Sequence, residues 1–316
     1  MQVFTFRRFA FVLASVVLLT LLGSIDVAGA ERAQAAPSAN QMASGTAGDQ
    51  FVGADTCKAC HEDIVNGMAT TPHWSSTLKV NGVEVHACET CHGPGAAHVA
   101  GGGDVSKIFV FEGKSTSVIS ERCLTCHQAT QSHGNFTRSQ HFNNGISCIS
   151  CHSPHHAREK NALLIEDQPS LCYRCHTDIK ADFAKPFRHR VNSQLLQCTD
   201  CHNVHGGTPR RSLRTAADDQ MVCFKCHRDK EGPFLYEHVP VKTEGCTACH
   251  TPHGSTNPRL LRVYPVNVLC LECHTFTTNS GIPGTPSFHN QAQKYQACTM
   301  CHPMIHGSNG VETFEY

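Results

Sequence analysis

The chain has 316 residues and a formal charge of zero, from 26 basic and 26 acidic side chains, with only 16% of residues charged against roughly 25% in an average soluble domain. Twenty cysteines and 23 histidines exclude a conventional cytosolic enzyme, because free thiols at that density would cross-link or oxidise. Balanced charge, with no basic cluster after the first residues, sets nucleic acid aside as a partner.

Residues 1–30 read as a secretory signal peptide. Arg7 and Arg8 form its positive start, Phe9 to Leu22 its apolar stretch, and Val27, Ala28, Gly29 and Ala30 a small-residue cleavage zone. The apolar run of 14 residues is short of the ~20 that a spanning helix needs. Export to the periplasm through the general secretory route is therefore expected. Residues 31–52, rich in Ala, Ser, Gln and Gly, lack apolar periodicity and are expected to be a flexible lead-in. From residue 53 to 316 the chain is expected to form one domain.

Within that domain, cap residues predict short helices: one near Asp55 ahead of Cys57, one near Ser120 ahead of Cys123, and one from Ser170 to Lys185 that Pro186 stops. Loop signals separate them, at Gly93-Pro94-Gly95, Gly101 to Gly103, Gly206-Gly207 and Gly281 to Pro286. The one strand-like alternation noted is Ile108 to Phe111. Short α-helices and extensive coil with minimal β are the predicted fold. One Trp, five Tyr and 40% apolar residues leave little bulk for a core, so a prosthetic group is expected to complete it.

All twenty cysteines fall into ten Cys-x-x-Cys-His pentapeptides. The pairs are Cys57 and Cys60, Cys88 and Cys91, Cys123 and Cys126, Cys148 and Cys151, Cys172 and Cys175, Cys198 and Cys201, Cys223 and Cys226, Cys246 and Cys249, Cys270 and Cys273, and Cys298 and Cys301. The histidines that follow are His61, His92, His127, His152, His176, His202, His227, His250, His274 and His302. Two thiols at this spacing each add to one vinyl group of a haem, and the adjacent imidazole ligates the iron. Cys₄ zinc ribbons have no use for an invariant neighbouring His, and vicinal disulfides are strained, so ten covalently bound c-type haems are the expected cofactors.

Thirteen histidines remain once the ten proximal ones are set aside. After the even-numbered motifs a His follows closely, at His98, His155, His205, His253 and His306. Ahead of the next even-numbered motif stand His141, His189, His238 and His289, seven to nine residues before its first Cys, and His73 takes that place in the first unit, fifteen residues before Cys88. These ten are the expected distal ligands of bis-histidine iron, and the short-range ones are expected to reach a neighbouring haem. His86, His133 and His156 break the pattern and read as surface residues, though the spacing leaves His73 and His86 as alternatives in the first unit. The motifs thus form five two-haem repeats, with odd motifs starting at Cys57, Cys123, Cys172, Cys223 and Cys270, which implies a stacked, quasi-linear array. Iron capped by two imidazoles has no position for substrate, so an electron carrier is expected rather than an enzyme.

On these motifs the chain is similar to the periplasmic decahaem cytochromes of the MtrA, PioA and DmsE group. The resemblance runs from about Gly53 to Asn309 and rests on motif count and spacing, on CETCHGPGAAHVAGG around Cys88, on CTDCHNVHGG and CTACHTPHGS, on GPFLYEHVP and on CHPMIHGSN. It implies a cytochrome inserted into an outer-membrane β-barrel porin. Electrons would pass between a periplasmic or inner-membrane cytochrome and an extracellular multihaem cytochrome, mineral or reductase. A soluble periplasmic shuttle, and a multihaem nitrite or hydroxylamine reductase, are the alternatives.

Overall fold

The computed structural model describes residues 50–80, 83–129, 133–207, 210–214, 221–274 and 297–315. The signal peptide, nearly all of the lead-in, the Gly281 to Pro286 stretch and His289 lie outside the described residues. The described chain is a succession of single helical turns and short helices joined by coil. The longest helix, Thr116–His127, has 12 residues. Helices this short are marginal in isolation, since those under ~12–15 residues do not recover their nucleation cost, so they depend on what they pack against.

Little of that packing comes from the chain's own apolar groups. Among the described residues Val65, Met68, Val85, Ala87, Ile119, Phe136, Phe183, Val191 and Val222 are the buried hydrophobic ones, while Leu195, Leu235, Val239, Tyr264 and Met300 are among the large apolar side chains left exposed. A protein core at ordinary density would not leave them so.

Odd and even motifs are built differently. Into the odd ones runs a helix that starts before the first Cys: Ala54–Lys58, Thr116–His127, Ser170–Tyr173, Met221–Phe224 and Val266–Leu271. Each even motif instead begins its own turn at the first Cys: Cys88–His92, Cys148–Ser150, Cys198–Cys201, Cys246–Ala248 and Cys298–Met300. Every motif nevertheless makes one α-turn. The His N–H donates to the first Cys carbonyl at 2.9–3.0 Å in motifs such as Cys57–His61, Cys172–His176 and Cys298–His302. Positions i, i+3 and i+4 of a helical turn share a face, so both thiols and the imidazole point the same way.

The predicted helix boundaries need three corrections. Asp55 lies inside the first helix, whose N-cap is Gly53. Ser115, not Ser120, caps the third-motif helix by accepting from Val118 N–H, and Ser120 is fully buried in its interior. The Ser170 to Lys185 run is two helices, Ser170–Tyr173 and Thr177–Asp182, because the motif's own turn through Cys175 and His176 comes between them.

The β structure also differs from the reading of Ile108 to Phe111. An antiparallel hairpin pairs Thr77–Val80 with Val83–His86, Thr77 opposite His86. The sequence that joins the two strands, Asn81-Gly82, is a dipeptide of the kind that favours hairpin turns. Phe109 instead exchanges its backbone bonds with a motif: its N–H donates to the His92 carbonyl at 3.1 Å and its carbonyl accepts from His92 Nδ1 at 2.7 Å.

Repeats are strapped to one another by backbone. Phe187 and Ser255 exchange two hydrogen bonds of 3.1 and 2.7 Å, and Tyr236 and Ser308 exchange two of 2.8 Å. Each strap needs a glycine beside it. A Cβ at Gly254 would lie 2.0 Å from the Asp182 carbonyl oxygen, and one at Gly307 would lie 2.1 Å from the Phe234 ring. Gly254→Ala is expected to destabilise the junction by about 1–3 kcal/mol, the usual cost of overpacking. Limited proteolysis in the 182–187 linker measures it, and unchanged protection would show that the strap tolerates a side chain.

The buried carboxylate of Glu89 performs a similar function at the chain's start. It accepts from Val52 N–H at 3.0 Å, Gly53 N–H at 2.9 Å and Gly95 N–H at 2.8 Å, tying the entry of the domain to the loop after the second motif. Glu89→Ala strips three donors of their acceptor, at about 1–3 kcal/mol for each one left unsatisfied. Amide exchange at Val52, Gly53 and Gly95 should accelerate together, while exchange at Phe187 should not change.

Candidate haem-binding site

Each proximal imidazole is aimed by its motif turn, and five are also locked by backbone carbonyls. The Nδ1 atoms of His92, His152, His202, His250 and His302 bond to the carbonyls of Phe109, Ala162, Arg211, Arg259 and Thr313, at 2.7, 2.6, 3.0, 2.9 and 2.5 Å. These are the even-numbered motifs, and the carbonyls belong to loops that fold back over them. The fold-back recurs: His152, His202 and His250 form bridges with Leu164, Leu213 and Leu261. It bends through left-handed backbone at Leu163, Arg211, Ser212, Arg259, Leu260 and Phe314. Such conformations cost non-glycine residues ~1–2 kcal/mol each. Bonds such as Ser153 N–H to Leu163 O (2.8 Å) and Thr251 N–H to Leu260 O (2.8 Å) hold them in place.

Four of the predicted distal histidines are oriented in the same way. His98 Nδ1 bonds to Asp104 O at 2.9 Å, His141 Nδ1 to Val204 O at 2.9 Å and His189 Nδ1 to Pro252 O at 2.6 Å, while His238 bonds to the Ile305 carbonyl. For the last three, the accepting residue immediately precedes another predicted distal histidine: His205, His253 or His306. Donation from Nδ1 fixes the tautomer and leaves Nε2 to ligate.

The proximal and distal rings come in pairs. Proximal His61, His92, His152, His176, His202, His227, His250 and His274 stand 6.0–6.3 Å, centroid to centroid, from His98, His155, His205, His141, His253, His189, His306 and His238 respectively. Proximal His127 stands 5.9 Å from His73. Two metal–nitrogen bonds of roughly 2 Å, plus roughly 1 Å from each nitrogen to its ring centre, place imidazoles on opposite sides of one iron at about 6 Å. Among the described residues no three His, Cys, Asp or Glu side chains are grouped to hold a metal ion, as a zinc ribbon would require, and no disulfide joins any of the twenty cysteines. Paired imidazoles with two thiols beside one of them suit a covalently attached haem.

No pair is confined to one motif's own neighbourhood. His155 and His205, which follow motifs four and six, face motifs two and four, and His141, which precedes motif four, faces motif five. His73 faces the third motif, not one of its own unit. Beside the first motif stands His98, and the side chain of His86 lies outside the described residues. Burial pushes the rings of His73, His155, His205, His238, His253 and His306 toward the neutral, ligating form: His205 falls to about 4, with His133 and His152 adding to the effect, and His306 falls to about 4, with Lys230 adding to it.

The cysteines show how the motifs are ordered. First cysteines hydrogen-bond across each odd–even pair: Cys57 with Cys88, Cys123 with Cys148, Cys172 with Cys198, Cys223 with Cys246 and Cys270 with Cys298. The shared bond draws Cys88, Cys148 and Cys198 down to about 7. Second cysteines approach across the other boundaries: Cys91 with Cys126, Cys151 with Cys175, Cys201 with Cys226 and Cys249 with Cys273. The two sets alternate, so each motif neighbours the next from first to tenth. Every second-cysteine junction also carries a cation, in order Arg122, Arg174, Lys225 and Arg262, the last paired with Glu272.

Two predicted attachment thiols, Cys60 of the first motif and Cys301 of the tenth, fall at the ends of this series and are both exposed. The alternation pairs neither of them with another second cysteine, while their exposure is shared with Cys126, Cys175, Cys201, Cys226 and Cys273. Cys301 still stands in the turn that attachment needs, its N–H donating to the Cys298 carbonyl at 3.2 Å. The second imidazole expected beside it, that of His289, is the one predicted distal ligand outside the described residues.

What this arrangement defines is a class, the multihaem c-type cytochromes, whose work is electron transfer. The doubled CXXCH motif family matches residues 140–181, 189–232 and 238–279, three consecutive pairs of motifs. The multiheme cytochrome MtrA of Shewanella baltica (strain OS185) is 35% identical over 275 residues, 81% of this chain and 79% of that protein. The C-type polyheme cytochrome OmcC of Geobacter sulfurreducens is 25% identical over 247 residues, 76% of this chain but 28% of that protein. An undecaheme cytochrome from the S-layer of Carboxydothermus ferrireducens aligns over 44% of this chain and 35% of that one, at 18% identity and a TM-score of 0.26. The chain belongs to the MtrA family of multihaem cytochromes. Among the described residues no helix is long and apolar enough to cross a membrane.

Proposed function

We propose that the exported chain carries ten haems and conducts electrons across the outer membrane inside a porin-type barrel. At one end it meets a periplasmic or inner-membrane cytochrome, at the other an extracellular multihaem cytochrome, reductase or mineral. The observation that carries this reading is the set of nine proximal imidazoles, each facing a second imidazole at 5.9–6.3 Å, on motifs that neighbour one another in chain order.

Bound haem supplies a one-electron iron centre. The chain's residues do the rest: paired thiols attach, from Cys57 and Cys60 at the first motif to Cys298 and Cys301 at the tenth, the proximal imidazole ligates, and backbone carbonyls hold the tautomer. The distal ligands of motifs one to nine are His98, His155, His73, His205, His141, His253, His189, His306 and His238. The tenth motif is left with His289. Two imidazoles per iron leave no open position for a substrate, which makes the protein a carrier. Five two-motif repeats make up residues 53–316, behind a signal peptide at 1–30 and a lead-in at 31–52.

Isolation from the outer-membrane fraction tests the proposal. Ten haems per chain by pyridine haemochrome assay, all low-spin in the ferric state, with a barrel protein in the same detergent particle, is the expected result. A resting high-spin ferric signal would favour a reductase. Recovery only as free monomer in the soluble periplasm would overturn the conduit.

A further inference from the structure

The third and fourth motifs gather one imidazole more than two irons can use. His127 and His152 are their proximal residues, and His205 stands 6.0 Å from His152. Facing His127 are two rings, His73 at 5.9 Å and His133 at 5.7 Å. The sequence pattern leaves His133 as a surface residue, yet its ring also touches His205, at 4.4 Å between centroids. Its position is built into the fold. Phe136 N–H donates to the His133 carbonyl at 2.9 Å, and the buried Phe136 ring packs edge-on against His205 at 6.3 Å. His73, by contrast, has a buried Nδ1 without a hydrogen-bond partner, whereas His98, His141, His189 and His238 are each tethered to a carbonyl.

We propose that His133 is a second axial imidazole for the iron held by Cys123, Cys126 and His127, able to take the place of His73. The proposal rests on the haem reading above. Exchange breaks one iron–nitrogen bond at His73 and forms one at His133. Both rings bind neutral, so no electron or proton is gained or lost. Tethering favours retention of His98, His141, His189 and His238, because a ring fixed at Nδ1 keeps its Nε2 in one place. His73 lacks that constraint and stands, like the His133 ring, against His127. Since His133 also touches His205, exchange at the third iron would move a group in contact with the fourth iron's distal ligand.

The test uses the full haem-loaded chain with His73→Ala, His133→Ala and the double variant. Haem content is counted by pyridine haemochrome on every sample, and spin state is read by EPR and optical spectra. Fewer than ten haems in the unsubstituted chain would sink the haem reading itself. With ten present, each single variant is expected to stay wholly low-spin. The double variant is expected to show one high-spin haem in ten, returned to low-spin by added imidazole. One high-spin haem in His73→Ala alone, or none in the double variant, overturns the proposal. Should an alanine variant lose its haem, His73→Met decides: with His133 on the iron no sulfur-to-iron charge-transfer band appears, and its appearance overturns the proposal.

Discussion

Replacing His253 by methionine is expected to raise the potential of the haem at Cys198 and Cys201, not that of the motif His253 directly follows. The shift is expected on the order of 0.1 V, a fraction of the ~0.8 V range that axial ligands command. His253 lies three residues beyond His250 in sequence, yet its ring stands 6.1 Å from His202, and His250 is faced by His306 at 6.2 Å. The chain cannot turn round a macrocycle in two residues, so a histidine this close to one motif serves another. Double substitutions separate the alternatives by their non-additivity. If His202 and His253 share one iron, His202→Ala with His253→Ala perturbs one haem, and His250→Ala with His253→Ala perturbs two. Spin counting on the ferric protein reads the number directly. The reversed outcome would return His253 to its neighbouring motif and undo the pairing along the whole chain.

That pairing was only half legible in the sequence. The ten pentapeptides and their histidines are covalent requirements, and spacing alone exposes them. The spare histidines could also be sorted into two sets by position, because each set occupies a fixed offset from an even-numbered motif. Which set serves which iron depends on how far a linker travels before it returns, a tertiary property without a side-chain signature. The same holds for the carbonyls of Phe109, Ala162, Arg211, Arg259 and Thr313, since any residue type supplies a carbonyl. Segments as different as KNALL, PRRSL and NPRLL make the same fold-back, each placing non-glycine residues in left-handed backbone. The contacts of His133 with His127 and His205 were hidden for a related reason. His133 falls outside the repeat, and periodicity can only find what recurs. The hairpin at Thr77–Val80 and Val83–His86 was in principle readable from the Asn-Gly dipeptide between its strands, while the Ile108 to Phe111 alternation misled because Phe109 bonds to a motif instead of a strand.

Removing one central haem is expected to cut end-to-end electron transfer by orders of magnitude while leaving both ends reducible. Interactions between cysteines give every internal motif two neighbours, the preceding motif and the following one: Cys172 interacts with Cys198, and Cys151 feels the charge of Cys175. With Cys172→Ser and Cys175→Ser the fifth motif can no longer attach its cofactor, and His176 and His141 lose the iron they would share. A branched cluster would route electrons round such a gap; a single file cannot. The measurement is dye reduction across vesicles that hold the full chain in its barrel, with a reductant enclosed. Haem content should fall from ten to nine. Internal reductant should still bleach the haems on its own side of the break, and external dye should receive almost nothing. Near-normal transfer with nine haems would mean that the fourth and sixth motifs exchange electrons directly, which would replace the ordered ladder by a packed bundle. Equivalent loss at the first motif, Cys57→Ser with Cys60→Ser, should be milder for transfer between the remaining nine and severe only for exchange with the partner that docks at that end, so the two variants together distinguish an interrupted wire from a misfolded chain.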